Sequence, residues 1–113
     1  MQGRSGAACV MGNGADGVLP VILLVGTVKG PVGAARVAFA RLEAALARIM
    51  PDRVICDLFG NDGDAMMVAE VLAALEWRGR LTVVAPGLPN RRMVQQELQS
   101  IAPWIRVEVV AGL

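Results

Sequence analysis

Histidine and tyrosine are both absent from this 113-residue chain. Their absence removes imidazole general bases, Ser-His-Asp and Cys-His triads, phosphohistidine transfer, histidine-ligated metals and every mechanism that needs a phenol. Cysteine is scarce. Cys9 and Cys56 stand alone with no CxxC spacing, and Cys56 sits inside an apolar run, so neither a disulfide framework nor a zinc site is signalled. An excess of charge of one sign is missing too. Eleven Lys and Arg against ten Asp and Glu leave a net charge of +1, too little to gather nucleic acid or an anionic membrane. No apolar stretch reaches the roughly 18 residues of a membrane span, and residues 18–25 are interrupted by Pro20. The N-terminus lacks the apolar core and cleavage site of a signal peptide, which makes the cytoplasm the expected compartment. Together these absences exclude most enzyme active sites, and no enzymatic activity is expected.

What the chain has in plenty is hydrophobicity. Its apolar fraction is 55% and its mean hydropathy +0.53, above the roughly 45–50% of an ordinary soluble domain. Burial against a protein partner, in a homodimer or on another domain, is the expected outlet. The length fits one domain with a single core. Residues 1–17 carry five glycines and few large apolar side chains, which predicts a flexible or irregular lead-in with residues 7–11 as its only candidate strand. The folded domain is expected over residues 18–113.

Within it, residues 21–25 (VILLV), 53–58 (RVICDL), 81–85 (LTVVA) and 105–110 (IRVEVV) are short, β-branched-rich runs, the pattern of strands buried in a parallel sheet. Ala38, Leu42, Ala45, Leu46 and Ile49 share one helical stripe ending before Pro51. A second helix is expected from Ala65 to Arg78, capped by Asp64 and stopped by a left-handed Gly79. A third follows Asn90, with Val94, Leu98 and Ile101 on its apolar face. Alternation of strands and helices, with connections of crossover length, requires a parallel sheet of four to five strands covered by helices, a three-layer α/β/α sandwich. The helix from Ala65 is apolar around most of its circumference, so Met66, Met67, Val71 and Trp77 are the expected partner surface.

In open parallel sheets, chemistry collects at the carboxyl ends of the strands. That rule points to three loops, Gly26 to Gly33, Asp57 to Asp64 and Ala85 to Asn90, of which the first two carry candidate residues. Asp57 ends a strand, and Asp62 and Asp64 follow on a glycine-rich turn, so three carboxylates could crowd into an acidic pocket with weak affinity for Mg²⁺. The plainer roles are turn residue for Asp62 and helix cap for Asp64. The loop over residues 26–33 places Gly26, Thr27, Lys29, Gly30 and Gly33 between a strand and the expected helix, the setting in which backbone N–H groups cradle phosphate. Its spacing matches neither the dinucleotide-binding fingerprint nor the P-loop. Arg91, Arg92, Gln95, Gln96 and Gln99 read as a solvated helix face.

The segment PDRVICDL at residues 51–58, followed by Asp62-Gly63 and a helix, resembles the middle of response-regulator receiver domains. The resemblance covers about a third of the chain. It implies a flavodoxin-like, receiver-like fold, a role in two-component signalling, and Asp57 as the phospho-acceptor. The chain departs from the family in several ways: the loop from Asp57 to Asp62-Gly63 is shorter than usual, and one strand and one helix are missing between Val25 and Arg53 unless residues 7–11 supply the strand. No acidic pair follows residues 21–25, Ala85-Pro86 stands where receivers carry Ser or Thr, and Ala111-Gly112 stands where they carry Lys. The resemblance therefore implies a degenerate receiver, with no cofactor beyond weak Mg²⁺, inefficiently phosphorylated and working through protein contacts. A second reading is a small α/β protein that binds a nucleotide or phosphorylated ligand at residues 26–33.

Overall fold

The structure, a computed structural model, describes residues 20–60 and 63–113. The readings made for residues 1–17, for the candidate strand at 7–11 and for Asp62 lie outside the described residues. The elements are β1 (Ile22–Val25), β2 (Ala35–Val37), a 3₁₀ turn at Phe39–Arg41, α1 (Leu42–Ile49), β3 (Arg53–Asp57), α2 (Ala65–Ala74), β4 (Arg80–Val84), α3 (Arg91–Ile101) and β5 (Arg106–Val110). All five strands pair in parallel in the order β2-β1-β3-β4-β5. That order is flavodoxin-like, with a switch point between β1 and β3.

The fifth strand is a finding. Residues 35–37 (ARV) favour helix locally, yet they pair with β1 at Leu23↔Ala35 and Val25↔Val37. The Gly26 N–H donates to the Val37 carbonyl at 2.8 Å, and Arg36 Nη1 donates to the Gly26 carbonyl at 2.6 Å. Tertiary pairing overrides propensity here, so the helical stripe expected from Ala38 starts only at Leu42. The loop after β1 therefore leads into a strand, and no helix N-terminus follows it. The second helix also stops early. Its left-handed residue is Glu76 (φ 55°), not Gly79. Gly79 is required for another reason, since a Cβ there would run into the Trp77 ring and the Asp52 carbonyl oxygen.

Direction explains the layering. The connection from β1 to β2 runs one way along the sheet and the three later ones run the other, so right-handed crossovers bring α1, α2 and α3 to the same face. The main core agrees: Leu42, Leu46, Val68, Leu72 and Leu98 from the helices meet Leu23, Val54, Cys56, Leu81, Val83 and Val107 from the strands. On the second face, among the described residues, the loop between β1 and β2 forms the cover. Its Val28 is buried with Leu24 and Ile55, and Ala34 packs beside them. Farther along that face Thr82, fully buried, accepts from Arg53 Nε at 3.0 Å and donates to Glu108 Oε1 at 3.0 Å.

Both expected caps form. Asp64 accepts from the Met67 N–H at 2.9 Å, and Asn90 from the Met93 N–H at 3.1 Å. The solvated-face reading of α3 needs correction at two positions, Gln95 and Gln99, which fold back onto β5. Gln95 Oε1 accepts from the Val109 N–H at 3.0 Å and Gln99 Oε1 from the Val107 N–H at 3.3 Å, while Gln99 Nε2 donates to the Ile105 and Ala102 carbonyls. Among the described residues no helix is long and apolar enough to cross a membrane.

Candidate functional site

Asp57 is the last residue of β3, half-buried, beside the switch point. Alternation along the strand places Arg53, Ile55 and Asp57 together on the second face of the sheet. There they line a cleft of about 700 Å³ whose opposite wall is the loop after β1, through Thr27, Lys29 and Gly30. The loop bends away because Gly26 adopts φ 76°, a left-handed conformation that side-chain-bearing residues resist. Gly30 lies so close to Leu24 that a Cβ would displace the leucine side chain. The cleft floor is apolar, Ile55 and Val84, and its ionic groups are Lys29, Arg53 and Asp57. Arg53 is already engaged with Thr82 and Glu108, which leaves exposed Lys29 as the more available cation.

The candidate residues thus divide. Thr27, Lys29, Gly30 and Asp57 come together at one cleft. Gly26 shapes its entrance but spends its carbonyl on Arg36. Gly33 (φ 89°) lies away from it, beside an apolar groove formed with Pro20, Val21 and Ile22. Asp64 spends a carboxylate oxygen on the α2 cap. Among the described residues no group of three or more His, Cys, Asp and Glu could hold a metal ion. The thiol next to Asp57, Cys56, is pushed up to about 12, first by burial and then by the Asp57 and Asp64 charges. It is held as a neutral, unreactive thiol.

The helix expected to present a partner surface is mostly spoken for. Met66, Val71 and Trp77 are half-buried against the main core, and Trp77 Nε1 donates to the Pro51 carbonyl at 3.0 Å. Of the four residues, Met67 alone is exposed, at 41%, joined by Leu75 just past the helix end at 40%. The apolar circumference of α2 follows from packing on the sheet below and on α3 beside it. Sequence reasoning missed Arg53 and Ile55 as cleft residues. The two-residue alternation of RVICD carries that signal, since it puts them on the face of Asp57.

Comparison with protein-family models, with curated proteins and with solved structures finds no match to this chain.

Proposed function

We propose that the chain is a non-catalytic, receiver-like signalling module of the cytoplasm that acts through protein contacts, as a homodimer or docked on another protein. The observation that carries this reading is the isolation of Asp57. It stands at the carboxyl end of a central strand, in the place the receiver resemblance gives to the acceptor. The positions around it are Gly26-Thr27 after β1 and Ala85-Pro86 after β4, and among the described residues no group of three or more His, Cys, Asp and Glu gathers there to hold a metal. Phosphoryl transfer to a carboxylate depends on positioning and charge neutralisation, and this edge offers little of either. Intact-mass spectrometry after incubation with acetyl phosphate and Mg²⁺ tests it beside an Asp57→Asn control. No adduct in either protein is the expected result, and a single phosphoryl adduct that disappears in the control overturns it.

A second reading, binding of a small phosphorylated ligand, draws on the cleft itself, where Thr27, Lys29 and Gly30 face Asp57 over an apolar floor. Sites of this kind are concave, largely apolar and furnished with a few polar groups. A nucleotide panel in thermal-shift assays decides it. Ligand at 100 times its Kd stabilises by about 2.7 kcal/mol; a shift lost in Lys29→Ala supports this reading, and no shift, or one that survives Lys29→Ala, overturns it.

A further inference from the structure

At the edge of the sheet opposite Asp57, a cleft of about 700 Å³ is lined by Arg78, Arg80, Arg106 and Trp104, with Asp52 and Gln99 completing it. Its one carboxylate is committed, since Asp52 Oδ2 accepts from the Val21 N–H at 2.8 Å. Gln99 is committed to β5 and the residues before it. The guanidiniums are not. Among the described residues Arg78 and Arg106 hold no ion pair and no side-chain hydrogen bond, and Arg80 only reaches Glu108, at 4.0 Å, a carboxylate it shares with Arg53. Arg80 and Arg106 also occupy paired register positions on β4 and β5, with Arg53 next in the row. Like charges directly opposite each other on one face destabilise a sheet, and an anion placed between them reverses the sign.

We propose that this cleft binds a small phosphorylated molecule carrying a planar ring, of the mononucleotide class. The phosphoryl oxygens would take the guanidinium forks of Arg78, Arg80 and Arg106, and the ring would lie on Trp104, whose indole is 47% exposed at the cleft. Guanidinium forks match phosphate geometry, and three of them against one committed carboxylate suit a dianion better than a single carboxylate. A net charge of +1 supplies no field to recruit a polyanionic strand. The proposal does not rest on the function proposed above, because no residue lines both this cleft and the one beside Asp57.

Isothermal titration calorimetry of the full chain with AMP, adenosine and inorganic phosphate tests it. AMP should bind saturably, adenosine should give no binding, and phosphate should bind about tenfold or more weakly than AMP for want of stacking. Arg80→Ala combined with Arg106→Ala should weaken AMP about tenfold or more, Trp104→Ala should reduce AMP to the level of phosphate, and Lys29→Ala should change nothing. If the double variant fails to fold, Arg106→Ala alone takes its place, since that guanidinium holds no partner among the described residues. Absence of AMP binding, equal binding of adenosine or of phosphate, or a loss on Lys29→Ala in place of the arginines overturns the proposal.

Discussion

Cys56 illustrates how far a single buried residue can govern behaviour. Its thiol is pushed up from 9.0 to about 12 in the folded chain. Above pH 9 the unfolded state therefore releases a proton that the folded state keeps, so stability is level below pH 9 and falls as pH rises toward 12. The slope attributable to this group is at most about 1.4 kcal/mol per pH unit. The chain has no tyrosine and a single lysine, Lys29, so few other side chains titrate in that window. Urea unfolding at stepped pH should show the decline in the native sequence and a shallower one in Cys56→Ala. Alkylation with iodoacetamide at pH 8 should leave Cys56 unmodified until the chain unfolds, which peptide mapping would show.

At the scale of elements, α2 depends on its first residue's neighbour. Asp64→Ala removes the cap on the Met67 N–H and should cost about 1 kcal/mol in urea unfolding. The polar triangle on the second face makes a similar prediction. Glu108→Gln takes away the carboxylate that faces Arg53 and Arg80, and partial exposure limits the loss to about 1 kcal/mol by the same measurement. Elements of this kind were readable in the sequence to different depths. The four longer strands announce themselves as short, β-branched-rich runs, and Asp64 and Asn90 as caps, because those signals are local. Residues 35–37 carry no such signal, since an exposed arginine between a half-buried alanine and valine becomes a strand only when Leu23 and Val25 are there to pair with. The end of α2 was hidden for a like reason. Glycine is the usual left-handed stop, and Glu76 takes that conformation while Gly79 serves the close approach of Trp77. As for the candidate site, the rule about strand ends located the loops, but which loop residues face Asp57 depends on the path of the chain between β1 and β2.

For the whole molecule, the decisive feature is that one crossover lacks a helix. Three helices share the first face and a glycine-rich loop covers part of the second, and the exposed large apolar residues, Met50, Phe59, Met67, Leu75 and Met93 among them, come from separate elements and loops. Size-exclusion chromatography with light scattering is expected to give a dimer or, with a monomer, binding of a hydrophobic dye; a strict monomer that binds no dye would remove the contact-based reading. The sheet edge at β5 is covered from within the chain. The last strand presents two outward amides that another chain could capture, and Gln95 and Gln99 occupy them from α3. These two glutamines act as a stopper against chain-to-chain strand addition. Replacing both with alanine should quicken hydrogen exchange at Val107 and Val109 and open this edge to strand addition, read as a rise in thioflavin fluorescence over the native sequence at equal concentration.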